Sequence, residues 1–198
     1  VWKTWKIMQL FNTTLYDNVI KSVNDTINTT FISAGKKADE FEKLLIPWVG
    51  NAVTVNSGTA ALHLALECAN VRGGEVILPS QTFIASGLAI QYSGAKPVFA
   101  DINYMTGNID PKSIVEKITN KTKALMVVHW GGNPCDMDEI NQIAKNHDLI
   151  VIEDAAQAFG ASYKGVSVGE ISDYTCFSFQ AIKHLTTGDG GAVCALDN

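Results

Sequence analysis

From residue 52 onward the sequence alternates short apolar runs with helix-length amphipathic stretches, and that rhythm restricts the fold more than any other feature. The runs are Ala52–Val55, Glu75–Leu78, Pro97–Ala100, Ala124–Val128, Leu149–Ile152, Tyr174–Phe179 and Ala192–Leu196. Between them the spacing predicts helices over Thr59–Asn70, Thr82–Tyr92, Pro111–Ile118 and Met137–His147. Asp110-Pro111 is a start signal for the third helix, and Asp136 is placed to N-cap the fourth. Strands separated by helices of this length need crossover connections, so they pair in parallel and are covered on both faces. The stretch after Lys183 has no room for a long helix, and the final strand is expected to run antiparallel. The fold class is α/β: a mostly parallel seven-stranded sheet with one antiparallel strand, sandwiched by helices.

Ahead of the rhythm, residues 1 to 32 are polar and rich in Asn and Thr, with an amphipathic helix expected over Tyr16–Asn28. A second helix is predicted over Lys36–Trp48, with Phe41, Leu44, Leu45 and Trp48 as its apolar stripe and Pro47 marking its stop. The division expected is an N-terminal segment over 1–35 and a large domain over 36–198. The chain starts at Val1 and ends at Asn198 just after an apolar run, the pattern expected of a fragment.

Composition removes several classes of function. With 46% hydrophobic residues the chain is no disordered tail. A net charge of -5 argues against nucleic acid or an anionic membrane as partner, because counterion release needs clustered cations. No run reaches transmembrane length and the N-terminus lacks a signal-peptide pattern. The N-x-Thr triplets at Asn12, Asn24, Asn28 and Asn120 then read as chance matches. Cys68, Cys135, Cys176 and Cys194 form no CxxC pair and are expected as reduced thiols in a cytoplasmic protein. Arg72 is the sole arginine, so a bidentate clamp on an anion must use it, use lysine and backbone amides, or borrow from elsewhere.

Three segments place chemistry at strand ends, where ligands of open α/β sheets bind. Asn56-Ser57-Gly58-Thr59 leads straight into a helix, leaving free amides and hydroxyls at a helix start, a ready anion site or a plain cap by Ser57 or Thr59. It matches neither a Walker loop nor the dinucleotide fingerprint. The run Leu149 to Ile152 delivers Glu153 and Asp154, suited to holding a cationic ring nitrogen or a metal, or with Asp154 as a plain helix cap. No His/Cys/Asp spacing nearby completes a metal site, and none is expected. After the sixth run, Lys183 sits between Ile182 and Leu185 in a hydroxyl-rich loop, where partial desolvation favours the free amine that condenses with a carbonyl. An anion cradle, a strand-end carboxylate and such a lysine, in that order, are the requirements of pyridoxal phosphate.

The segments Asn56–Leu64, Glu153–Ala158 and Ser178–His184, together with Thr82-Phe83, His129–Gly132 and Phe31–Ser33, resemble the DegT/DnrJ/EryC1/StrS family of sugar aminotransferases from about Phe31 to the end. The resemblance implies the three-layer α/β/α large domain of pyridoxal-phosphate-dependent transferases, with a smaller C-terminal domain lying outside this stretch. It implies Lys183 as the Schiff-base lysine and later proton carrier, Asp154 as the partner of the pyridine nitrogen, and Gln157 at the ring face or its hydroxyl. Phe83 is implied to stack on the ring, and Gly58, Thr59 and Ser178 to hold the phosphate. Family dehydratases carry histidine where Lys183 stands, so transamination is the reaction implied: an amino acid, glutamate by expectation, aminates a nucleotide-linked keto sugar. The resemblance further implies a homodimer with the active site at its interface. A role for His129 beyond backbone hydrogen bonding is left open, and His184, His63 and His147 are expected to be structural.

Overall fold

The computed structural model describes residue 13 and residues 15–196. Asn12 and most of the N-terminal stretch where a signal peptide would stand lie outside the described residues. The elements run α1 (Asp17–Asn28), α2 (Lys36–Val49), β1 (Ala52–Val55), α3 (Gly58–Cys68), β2 (Glu75–Pro79), α4 (Ile84–Tyr92), β3 (Lys96–Ala100), α5 (Pro111–Lys117), β4 (Thr122–Val128), a 3-10 turn (Trp130–Gly132), α6 (Met137–His147), β5 (Ile150–Asp154), β6 (Ser162–Tyr163), β7 (Val166–Ser167), β8 (Tyr174–Ser178) and β9 (Gly191–Ala195).

Seven strands form one sheet in the order β1-β9-β8-β5-β4-β2-β3. Strand β9 is antiparallel to both of its neighbours, and the remaining pairs are parallel. The loop after β8 holds no helix to make a crossover, and the chain turns back beside it, as the sequence predicts. Successive side chains leave a strand on opposite faces. Val76, Leu78, Ala124, Met126 and Ile152 pack beneath Ala61, Leu62, Ala65 and Leu66 of α3 and Ala89 and Ile90 of α4. Ile77, Leu125, Val127 and Val151 pack on the other face against Ile114 of α5 and Met137, Ile140, Ile143 and Ala144 of α6. A third cluster joins Leu45 and Val49 of α2 to Phe177, Phe179, Ala192 and Cys194. The result is the expected three layers.

Three local expectations need correction, and one element was not foreseen. Pro47 does not end α2. It occupies the last turn, and the helix stops at Gly50, whose φ of 73° suits glycine. The buried side of α2 is Leu45 and Val49, with Phe41 edge-on to Phe179 at 5.2 Å, whereas Leu44 and Trp48 point outward. A spacing of four residues keeps 41, 45 and 49 on one face, and 44 and 48 sit about 100° round from it. Asp136 occupies the N-cap position of α6, but its side chain makes no cap bond; its Oδ1 accepts from the Tyr163 hydroxyl at 2.7 Å. The β6–β7 hairpin was not anticipated. Its turn is Lys164-Gly165, both at positive φ (50° and 87°), the conformation a tight hairpin turn requires. By contrast Asp110 does cap α5, accepting from the Lys112 N–H at 3.0 Å.

Helix α1 matches the predicted range to within a residue, yet buries nothing; Val19, Ile20, Val23 and Ile27 are exposed. Amphipathic spacing specifies the helix without supplying a body to cover it.

Candidate active site

The carboxyl ends of β1, β2, β4, β5 and β8 open onto one cleft of about 380 Å³. Its lining includes all seven residues expected there: Gly58, Thr59, Phe83, Asp154, Gln157, Ser178 and Lys183. A wider groove of about 1470 Å³ runs between α1, α2 and the 187–191 loop, meeting the cleft at Asp189. It holds none of the seven.

The cleft begins at α3. Ser57 caps the helix by accepting from the Ala60 N–H at 3.1 Å. The cap and the anion reading are therefore compatible, because the amides of Gly58 and Thr59 belong to the first turn and have no intrahelical acceptor. A Cβ on Gly58 would stand 2.8 Å from the Ser178 Cβ, so glycine is needed for β8 to approach the helix start. That contact brings Ser178 to the helix start, so that a helix dipole, free N–H groups and a hydroxyl line the same end of the cleft without a guanidinium. Arg72 lies elsewhere, against Glu67 at 3.7 Å.

Strand β5 ends the apolar floor with Asp154, which is buried. Its Oδ2 accepts from the Ser86 hydroxyl at 2.8 Å and its Oδ1 from the Ala156 N–H at 3.2 Å. Burial pushes its carboxyl above the usual carboxylate range, opposed first by the Ser86 bond and then by the Ala156 N–H and the charge of Lys183. Cys176, at the floor beside it, has its thiol pushed well up by burial and next by the Asp154 charge. Lys183 stands half-buried in the loop after β8, in a turn closed by its own N–H to the Gln180 carbonyl at 2.8 Å.

Phe83 is not core: it precedes α4 and is 74% exposed at the cleft rim. The Gln157 Oε1 accepts from the Gly131 N–H at 2.8 Å, tying the loop after β5 to the turn after β4. Gly132, at φ 83°, passes so close that a Cβ would come 2.6 Å from the Gln157 carbonyl oxygen. His129 does more than bond backbone. Its Nδ1 accepts from the Cys135 N–H at 3.1 Å, so the ring hydrogen lies on Nε2, which donates to Glu153 Oε2 at 2.7 Å. Thr175 completes the group by donating to Glu153 Oε1 at 3.0 Å. His129, Glu153 and Thr175 are wholly buried. The partners Ser86 and Thr175 escaped sequence reasoning; the available signal was a hydroxyl standing at an otherwise apolar, buried position. Among the described residues no cluster of His, Cys, Asp and Glu could hold a metal ion.

The DegT/DnrJ/EryC1/StrS aminotransferase family model matches residues 14–198. The chain belongs to that family. It is 44% identical over 196 residues to GDP-perosamine synthase of Escherichia coli O157:H7, covering 97% of this chain and 54% of the relative. It is 46% identical over 181 residues to the spore coat polysaccharide biosynthesis protein SpsC of Bacillus subtilis, covering 90% and 46%. The PLP form of Spr1654 from Streptococcus pneumoniae superposes with a TM-score of 0.92 at 34% identity, covering 96% of this chain and 53% of that one. The chain spans about half the length of the curated relatives it matches.

Proposed function

We propose that the chain is the cofactor-binding large domain, over 36–198, of a pyridoxal-phosphate-dependent aminotransferase, with 1–35 as an N-terminal segment. Its amino acceptor is a nucleotide-linked keto sugar, its donor an amino acid, glutamate in our reading, and its products serve polysaccharide biosynthesis. Membership of an aminotransferase family, and relatives named for nucleotide-sugar and polysaccharide synthesis, support this. The observation that carries it is the convergence of Lys183, the buried Asp154 and the Gly58–Thr59–Ser178 cradle in a single cleft.

The residues suit the cofactor. The cradle is shaped for a phosphate dianion, and Asp154 is a buried carboxylate already held by two donors, fit to pair with a cationic ring nitrogen. When bound, pyridoxal phosphate supplies an electron sink that lets an amino group leave one carbon and be installed on another. The work of the chain is placement and proton transfer. Gly58, Thr59 and Ser178 would hold the anionic end and Phe83 would cover a face from the rim, while Gln157 is braced by Gly131. The Lys183 Nζ, on a loop rather than a strand, would bind the aldehyde end and would serve as the group that lifts and returns a proton.

A lysine at 183 favours amine transfer over the dehydration of family members that carry histidine there. We read the working unit as a cytoplasmic homodimer with the cleft at the interface. Exposed apolar side chains at Phe83, Trp130 and Ile182 around the mouth support a covering partner. Among the described residues no helix is long and apolar enough to cross a membrane.

The deciding experiment adds pyridoxal phosphate to the protein and to Lys183→Ala, followed by borohydride trapping and peptide mapping. A visible absorbance band present only with Lys183, and an adduct mapped to it, is the expected result. Identical spectra, or an adduct on another lysine, would overturn the assignment. Amination of keto sugars in the presence of glutamate then separates transfer from dehydration.

A further inference from the structure

Asp154 does not stand alone: two hydroxyls behind it form a short buried relay. The Ser86 Oγ donates to Asp154 Oδ2 at 2.8 Å and lies 2.7 Å from the Thr82 Oγ1. Ser86 is fully buried, on the first turn of α4, and Thr82 lies four residues earlier at the cleft wall. A serine has one hydrogen to give. An ionised Asp154 accepts it, so the second contact must have Thr82 donating to the Ser86 oxygen. The relay therefore has a direction, Thr82 to Ser86 to Asp154, set by the charge at its end.

We propose that Ser86, supported by Thr82, is a positioning residue that holds Asp154 as an oriented, ionised carboxylate for a cationic ring nitrogen. The inference rests on the pyridoxal-phosphate reading for its purpose, but the relay itself is a property of the cofactor-free protein. Two features of the site make it necessary. Asp154 lies where burial opposes charge, so the ionised form must be stabilised by fixed donors. Among the described residues the only other donor to its carboxylate is the Ala156 N–H at 3.2 Å, on the opposite oxygen. Ser86 thereby fixes one oxygen by a side-chain bond while the backbone holds the other. The groups facing Asp154 are Ser86 from α4, Lys183 from the loop after β8, Cys176 from β8 and His129 following β4. None of the last three hydrogen-bonds its carboxylate.

Two readouts test this. Selective carbon-13 labelling of aspartate follows the Asp154 carboxyl titration without cofactor. Ser86→Ala is expected to shift that titration upward, Ser86→Thr to leave it near wild type, and Thr82→Val to shift it by less than Ser86→Ala. Cofactor affinity by equilibrium titration is expected to fall about tenfold in Ser86→Ala, the loss of one charge-assisted hydrogen bond, and to recover in Ser86→Thr. An unmoved carboxyl titration in a folded Ser86→Ala protein overturns the relay. A shifted titration with unchanged cofactor affinity overturns its purpose. If wild type binds no pyridoxal phosphate while the titration shifts, the cofactor reading fails and the relay stands.

Discussion

Breaking the buried His129–Glu153 pair should destabilise the protein far more than a surface substitution. Both side chains are fully buried, and the contact is 2.7 Å. In His129→Ala the Glu153 carboxylate keeps only Thr175, and the Cys135 N–H loses its acceptor. Leaving a buried charge short of its partner costs about 3–5 kcal/mol, a large share of the roughly 5–15 kcal/mol that holds a domain folded. With a urea dependence of about 2 kcal/mol/M, the unfolding midpoint should drop by about 2 M. Glu153→Gln is the informative contrast. Its amide oxygen can still accept from Nε2, and it removes the buried charge, so the loss should be about 1 kcal/mol. The double variant His129→Ala/Glu153→Ala should lose less than the two single losses summed, by up to about 3 kcal/mol, because neither side is left unpaired. Urea melts monitored by tryptophan fluorescence give all four numbers. Strict additivity, or a Glu153→Gln loss matching that of Glu153→Ala, would refute the pairing on which this rests.

The site makes further predictions. Gly58→Ala would press its Cβ to 2.8 Å from Ser178, so the helix start and β8 must separate; cofactor affinity should fall at least tenfold, read by equilibrium titration against unchanged far-UV circular dichroism. Asp154 has a folded carboxyl pKa raised above its unfolded value, so it weakens folding above that folded value, and the penalty disappears as pH falls below the unfolded one. Cofactor-free Asp154→Asn should therefore melt higher than wild type at neutral pH, with the difference closing on acidification. Cys68 is exposed, while burial pushes the thiols of Cys135 and Cys194 up to about 12 and that of Cys176 well above its usual value. Native protein should yield one fast-reacting thiol to a disulfide reagent at pH 8, and four on unfolding.

The sheet was legible because parallel strands buried on both faces write themselves as uninterrupted apolar runs; β4 and β5 left little room for another reading. The antiparallel turn of β9 followed from a connection with no room for a long helix. The details that escaped depend on contacts distant in sequence. Asp136 looked like a cap, but Tyr163, brought over by an unforeseen hairpin, took its oxygen. The sequence stripe of α2 runs through residues 41, 44, 45 and 48, and the docking of Phe41 on Phe179 turns the side of 41, 45 and 49 inward instead. For the cleft, residue type and strand-end position pointed to the Asn56–Thr59 turn, Asp154 and Lys183, since geometry forces the ends of parallel strands together, whereas Phe83, Gln157 and Ser178 were implied only by the family resemblance. Ser86 did not declare itself because its partner lies 68 positions away and serine is unremarkable in a small-residue helix.

The adjacent acids Glu153 and Asp154 show how one strand end serves structure and chemistry at once. Consecutive residues face opposite sides of a sheet. Asp154 shares its face with Ile152, under α3 and α4, and finds Ser86 on α4. Glu153 shares its face with Val151, and its Oε2 meets His129, whose own face continues from Val127. The register that aligns Glu153 with Thr175 and Asp154 with Cys176 then secures the first acid to β8 while the second opens on the cleft. A one-residue slip of β5 would exchange the two faces, placing the shorter acid against His129 and the longer one in the cleft. The buried histidine pair thus specifies register as well as stability, and it does so at the residue next to the one the cleft depends on. It follows that Glu153→Leu, even where it folds, should loosen the placement of Asp154; paired carbon-13 spectra of the aspartates in Glu153→Leu and Glu153→Gln would detect this as broadening confined to the former.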